Sequence, residues 1–305
     1  MAESMRDIKN RIKSVNSTKQ ITHAMQLVAS AKLRKTREKA DARRAYTKYM
    51  IECMHIIADG IKGDSQNIFL KNNGADKDLY IVVTSDKGLA GGFNSNLLKF
   101  ASAEMEKSEN AAVCAVGHKA LDYFARRKTE VAASYIGESE TPDLTLARNI
   151  GAAVTSMFIE EKVNNVYIVY NRFVSVMSQV PEIVRLLPLS GEGLKESDKV
   201  DTVSYTEGLN IDDEKVASLK SVMCFEPDAE SLADWLIPKY FDNAIYGALL
   251  ESAAGELAAR RMAMENATDN ADELIGDLTL QYNRARQGAI TQELTEIISG
   301  ADAIS

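Results

Sequence analysis

The sequence predicts an α/β protein built as a long antiparallel two-helix coiled coil, formed by the N- and C-terminal segments, with a Rossmann-like α/β domain inserted between its two arms. Three observations carry this expectation. The first glycine is Gly60 and the first proline Pro142, so the opening stretch holds no helix breaker of either kind. Charge is segregated: residues 1–48 carry thirteen Lys or Arg against four Asp or Glu, whereas residues 226–305 carry five against fifteen. In the middle, short β-branched runs alternate with helical stretches, as in a partly parallel sheet.

The N-terminal helix is placed at residues 3–58. Ile8, Ile12, Val15, then Ile21, Met25, Val28, then Tyr46, Tyr49, Cys53 and Ile56 recur at three- and four-residue steps and mark a narrow apolar stripe. At 1.5 Å per residue such a helix extends ~84 Å, against a diameter of roughly 50 Å for a compact chain of this size, so it must protrude. A second long helix is placed at about 239–298, with Tyr240, Ala244, Ala248, Ile275, Leu278, Tyr282, Ala285 and Ala289 on one stripe. Its glycines Gly247, Gly255, Gly276 and Gly288 each cost about 1 kcal/mol of helix propensity, so a partner must hold it, and the oppositely charged first helix is the simplest one. Pro238 is expected to mark a kink or a break from a short preceding helix at 231–237.

Between the helices, strands are expected at 79–84, 111–116 and 163–170, with helices at 94–107, 118–127 and 144–162. Residues 173–180 and 182–187, separated by Pro181, read as a hairpin or a bent edge strand, and 190–214 as loop with one short strand. The domain division is therefore 1–75 for the N-terminal helix, 76–210 for the central α/β domain and 211–305 for the C-terminal helix that pairs with the first.

Composition narrows the function classes. With 45% apolar and 26% charged residues in 305, the chain is of globular type. No apolar run approaches the ~20 residues that span a bilayer, and the amino terminus has no signal-peptide core. Cys53, Cys114 and Cys224 are odd in number and widely spaced, which supports neither a disulfide framework nor a zinc site and fits a reducing cytosol.

The motifs mostly favour structural roles. Tyr80 to Asn94 runs from a strand into a glycine turn and a helix, a place where phosphates bind. It matches neither phosphate-loop fingerprint, and Gly88, Gly91 and Gly92 are better explained by positive φ or close packing. Glu52 and His55 have the spacing of a helical di-iron ligand pair but lack the second pair. Asp269, Asp272, Glu273 and Asp277 read as a charged helix face, and no acid–base or nucleophile constellation is present, so no cofactor is expected. The basic run at 32–39, continued by Arg43 and Arg44, has no aromatic residue beside it up to position 45, which favours an acidic partner over nucleic acid. The C-terminal end, 297–305, carries only Asp302 as a charge and must be enclosed by another protein to avoid aggregation.

Five segments carry a family resemblance: 21–33 (ITHAMQLVASAKL), 85–94 (SDKGLAGGFN), 225–228 (FEPD), 263–271 (AMENATDNA) and 282–297 (YNRARQGAITQELTEI). Through them the whole chain resembles the gamma subunits of F-type ATP synthases, the central rotor shafts, of bacterial type. The resemblance implies a rotor that performs no bond chemistry and couples rotation of the membrane c-ring, driven by protons or sodium ions, to ATP synthesis in a hexamer of three alpha and three beta subunits. It implies that Met25, Lys32, Arg34, Lys35, Arg286, Gln287, Thr291 and Glu293 meet that hexamer, with the tip beyond in its apolar sleeve. Phe225, Glu226, Pro227 and Asp228 would form a foot on the c-ring and the epsilon subunit, placing the chain peripherally on the cytoplasmic face of the cell membrane. Gly288 departs from the small helix-favouring residue expected there, and no cysteine-bearing insertion of the chloroplast type is visible. Two other readings compete: a nucleotide-using enzyme with the loop 86–94 as phosphate cradle, and a basic coiled-coil adaptor for nucleic acid.

Overall fold

A computed structural model describes residues 5–60, 67–189, 226 and 228–302, so the expected loop and strand at 190–214 lie outside the described residues. The elements run α1 (Met5–Gly60), a 3-10 turn (Ile68–Leu70), β1 (Asp78–Val83), α2 (Phe93–Met105), β2 (Ala111–Val116), α3 (His118–Arg126), β3 (Glu130–Tyr135), α4 (Leu144–Ile159), β4 (Val166–Phe173), β5 (Gln179–Leu187) and α5 (Ala229–Asp302). The protein is thus mixed α/β with long terminal helices. Two compact units are distinguished, residues 31–259 and residues 1–30 with 260–305.

In the larger unit the five strands lie in the order β3-β2-β1-β4-β5. The first four are parallel and β5 runs antiparallel to β4. The central β1 is buried on both faces, which is why it reads as an unbroken apolar run. Its side chains alternate: Leu79, Ile81 and Val83 join a core with α4, α5 and the Met54–Ile57 end of α1, whereas Tyr80 and Val82 join a second core with α2 and α3. Each fully buried Leu or Ile in these layers contributes about 2 kcal/mol. Tyr80 also stacks on Tyr167, its partner in register on β4, with ring centroids 5.0 Å apart.

Three differences from the sequence reading have physical causes. Strand β3 is not foreseen because Glu130–Tyr135 is an edge strand with alternately exposed, Ala- and Ser-containing residues and no apolar run. The β4–β5 turn falls at 174–178, and Pro181 sits inside β5; the register pairs it with Asn171 on an edge strand, where a missing N–H is tolerated. Pro238 neither breaks nor ends a helix: α5 is continuous from Ala229 to Asp302. Ala233, Ile237 and Phe241 flank it and are buried, and their packing offsets the roughly 3 kcal/mol that an internal proline costs.

The N-terminal helix holds the clearest correction. Its buried and half-buried positions include Ile8, Ile12, Val15, Lys19, Thr22, Gln26, Ala29, Leu33, Thr36, Ala40, Arg43, Thr47, Met50, Met54 and Ile57, alternating steps of four and three. Of the expected stripe, Ile8, Ile12, Val15, Met25 and Ile56 are buried or half-buried, whereas Ile21, Val28, Tyr46 and Tyr49 are 55–61% exposed. The true seam is small and polar over its middle, so apolar residues alone point to the wrong face. In the smaller unit, the Thr22 and Thr268 hydroxyls meet at 2.8 Å and Lys19 pairs with Asp272, so the two segments run in opposite directions. On α5 the buried and half-buried positions Met264, Thr268, Ala271, Ile275, Leu278, Tyr282, Ala285 and Ala289 show the same alternation, and there the expected stripe falls on the seam.

Candidate functional site

The glycine loop after β1 is organised around a carboxylate. Asp86 Oδ1 accepts from the N–H groups of His118 at 3.0 Å and Gly137 at 2.9 Å, and Oδ2 from the Ser139 hydroxyl at 2.7 Å and N–H at 3.1 Å. Burial alone would raise its pKa, but these hydrogen bonds together hold it below the usual value. Asp86 therefore ties the carboxyl ends of β1, β2 and β3 together. Gly117 is needed beside it, since φ is +89° and a Cβ would collide with the Thr84 backbone. Of the glycines in the loop, Gly91 takes φ +55°, while Leu89 adopts a similar left-handed conformation at φ 62°. Gly92 caps α2 with φ −82°.

The crevice between β1 and β4, where strand order reverses and α/β folds commonly bind ligands, is occupied by α5. Ser252 donates to Val83 O at 3.3 Å. A Cβ on Gly255 would stand 3.2 Å from the Phe93 ring and 3.3 Å from Gln179, so the helix lies close against the strand ends. With an anionic Asp86 alongside, this geometry opposes the nucleotide reading of the loop. Among the described residues no group of three or more His, Cys, Asp or Glu is arranged to hold a metal, and no helix is long and apolar enough to cross a membrane. Glu52 lies 4.0 Å from Lys48.

The residues expected to meet partners fall in several places. Met25 is half-buried on α1. Lys32 is held by Glu140 at 2.9 Å, and Lys87 reaches the same carboxylate at 3.3 Å. Burial would raise the Glu140 pKa, but the two ammonium groups hold it below the usual range. Arg34 is exposed and pairs with Glu38 one turn on, and Lys35 is exposed. Arg286, Gln287, Thr291 and Glu293 are all exposed on α5, where Thr291 donates back to Gln287 O at 2.9 Å. Beyond them Leu294, Ile297 and Ile298 are 54–68% exposed, leaving an apolar surface uncovered.

Of the expected foot, Phe225 and Pro227 lie outside the described residues and Glu226 is exposed. Asp228 caps α5: Oδ1 accepts from Ser231 N–H at 2.8 Å and Oδ2 from its hydroxyl at 2.9 Å, which lowers the carboxyl pKa. The Asp-x-x-Ser spacing was the available signal for that cap. The residues sequence reasoning does not single out are Asp86 as the anchor of three strand ends, and Ser252 and Gly255 as the close approach of α5. A lone Asp after a strand and a Ser or Gly inside a helix carry no distinctive pattern.

Comparison with known proteins places the chain. The family model described as ATP synthase matches residues 4–304. The sodium-ion-specific ATP synthase gamma chain of Acetobacterium woodii is 46% identical over 307 residues, covering the whole of both chains. The ATP synthase gamma chain of Alkaliphilus metalliredigens is 41% identical over 308 residues, again covering both. Among solved structures, the rotor of the Euglena gracilis mitochondrial ATP synthase has a TM-score of 0.63 at 21% identity, covering 94% of this chain and 98% of that one, and shares the fold. Matched from end to end, the chain belongs to the ATP synthase gamma-chain family.

Proposed function

We propose that the chain is the central-stalk rotor of an ATP synthase, turning with a membrane c-ring and imposing conformational change on a catalytic hexamer of three alpha and three beta subunits, with no bond chemistry of its own. Full-length identity of 46% to a gamma chain is the observation that carries this reading. In it the helical segments 1–75 and 211–305 form an antiparallel coiled coil and 76–210 an inserted domain. The alternating four-and-three burial on α1 and α5, and the opposed Thr22–Thr268 and Lys19–Asp272 pairs, support the coiled coil. The Thr22–Thr268 pair favours this register, since a slip by one turn gives up the hydrogen bond between the two helices.

The mechanism requires asymmetry. One pair of helices inside a threefold ring touches each beta subunit differently, so each orientation favours a different set of site conformations, and turning it shifts those populations. Arg286, Gln287, Thr291 and Glu293 are the contacts we assign to the hexamer, because they are exposed together beside an uncovered apolar end. Met25, Lys32, Arg34 and Lys35 form a second set. Lys32 reaches a partner only by exchanging Glu140 for another carboxylate. Phe225, Glu226, Pro227 and Asp228 form the foot on the c-ring and epsilon subunit, at the cytoplasmic face of the cell membrane. The driving ion is a proton or sodium, and the name of the Acetobacterium relative favours testing sodium first. The assigned role predicts that Arg286→Ala with Gln287→Ala in the reconstituted complex lowers ATP-driven rotation and synthesis; unchanged rates in both assays would refute it.

A further inference from the structure

Within the larger unit, α1, α4 and α5 enclose a cavity of about 440 Å³ that the rotor reading leaves unused. Three cations converge on it, Arg43 from α1, Arg148 from α4 and Lys239 from α5. Tyr46, Leu144 and Tyr246 supply apolar walls, and Asp242 and Asn243 supply acceptors. A size of this order, mainly apolar walls and a few convergent polar groups are the usual attributes of a small-molecule site.

The charges are held in place by the backbone beneath them. Arg43 Nε donates to Asn243 Oδ1 at 2.8 Å and Nη2 to Asn243 O at 2.5 Å, and its guanidinium lies over Gly247, where a Cβ would collide with it. The Asp242 carboxylate lies in the same way over Gly151 of α4. Two glycines inside helices thus make room for the charged groups of one cavity. Arg148 is exposed and, among the described residues, has neither an ion pair nor a hydrogen bond; Lys239 has only the Trp235 ring, 4.5 Å from its ammonium. Both influence Asp242 electrostatically from beyond ion-pair distance.

We propose that this cavity binds an organic phosphate of mononucleotide or sugar-phosphate size. Arg148 and Lys239 take the phosphoryl oxygens, the guanidinium fork suiting a two-point contact. The ligand body lies against Tyr46 and Tyr246, and Asp242 and Asn243 accept from its hydroxyl groups. This pocket is separate from the loop after β1, which α5 and Asp86 close to phosphate.

The test is calorimetric titration of the purified full chain with ADP, glucose 6-phosphate and inorganic phosphate. The expected result is saturable binding of at least one of the two organic phosphates, about tenfold or more tighter than inorganic phosphate, with Arg148→Ala plus Lys239→Ala lowering affinity by a further tenfold or more. Arg148→Ala alone, at an exposed position, keeps the test valid if the double variant unfolds, and a several-fold loss is then expected. No saturable binding of either organic phosphate up to about 10 mM, or affinity unchanged in the variants, overturns the proposal. So does equal affinity for inorganic phosphate, which would remove the role of the aromatic walls.

Discussion

Glu251 makes the stability of this protein depend on pH in a direction opposite to most carboxylates. It lies on α5 where the helix packs against β4 and β5. The Phe173 N–H donates to it, Oε2 is buried with no hydrogen-bond partner, and Glu182 of β5 adds like charge, which Arg43 and Arg172 oppose. Burial foremost pushes its pKa from 4.5 up to about 8. The unfolded chain ionises this group near the ordinary value while the folded chain keeps the proton. Between these two values the folded state binds more protons, so stability from this group is fully present at acid pH and is lost as pH rises. The slope is about 1.4 kcal/mol per pH unit, giving about 3 kcal/mol by pH 7 and about 5 kcal/mol once pH passes the native value.

Glu251→Gln removes the titration but keeps an oxygen for the Phe173 N–H. Its amide NH2 enters a buried place, which costs about 1–3 kcal/mol whatever the pH, so the slope is the decisive reading and the absolute stability is not. Urea unfolding of both chains from pH 5.5 to 8.5 supplies it. The wild-type stability should fall relative to the variant by about 3 kcal/mol or more across that range, since contributions common to both chains cancel. Parallel curves would mean that Glu251 is ionised in the folded protein and would refute the reasoning.

The remaining expectations concern the seam, the loop and the proline. Thr22→Val or Thr268→Val alone should cost about 1 kcal/mol, the net worth of the hydrogen bond between them, since the remaining hydroxyl still donates to a backbone carbonyl of its own helix, Lys19 O or Met264 O; a thermal-unfolding double-mutant cycle measures the coupling. Asp86→Ala should cost about 1–2 kcal/mol in urea unfolding by removing the charged acceptor of the His118, Gly137 and Ser139 N–H groups, the first two of which water can still reach. Because the Asp86 pKa is lowered, its stabilisation is present above about pH 4 and lost as pH falls through the native value, so the variant should lack that part of the acid transition. Pro238→Ala, in a helix already continuous through that position, should stabilise by up to about 3 kcal/mol, read as a raised thermal midpoint.

Legibility in the sequence followed the physics of each element. Strands β1, β2 and β4 are buried on both faces and read as apolar runs, and the absence of Gly and Pro up to Gly60 was sufficient for α1. Strand β3 was not legible from its residues, but it was from topology: α3 packs on one face of the sheet and α4 on the other, so the chain must cross an edge between them. The α1 seam was misread because Lys19, Thr22, Gln26, Thr36 and Arg43 occupy positions that a hydrophobic count passes over, while exposed Ile21, Val28, Tyr46 and Tyr49 attract it. A strict seven-residue count from Ile8 lands on Val15, Thr22, Ala29, Thr36, Arg43, Met50 and Ile57, and would have found it. The residues assigned to partners in the rotor reading come only from family resemblance, because exposed Arg, Gln and Thr on a helix carry no pattern of their own.

The sheet order explains why a topology associated with dinucleotides serves a mechanical subunit. In a doubly wound sheet the strand ends diverge where the order reverses, leaving a crevice whose unpaired backbone groups usually face a ligand. Here that crevice, between β1 and β4, receives α5: the Ser252 hydroxyl takes Val83 O, and Gly255 lets the helix backbone come against Phe93 and the Asn171 carbonyl. Asn171 closes the same corner by donating to Phe93 O at 3.2 Å. A larger residue at 255 would lift α5 off the strand ends, so the glycine that weakens the helix by about 1 kcal/mol is also what seats it. In the rotor reading, torque on α5 reaches the sheet through these contacts and the Asp86 anchor beside them. The place where the fold otherwise holds a cofactor is then filled by a helix of the chain itself.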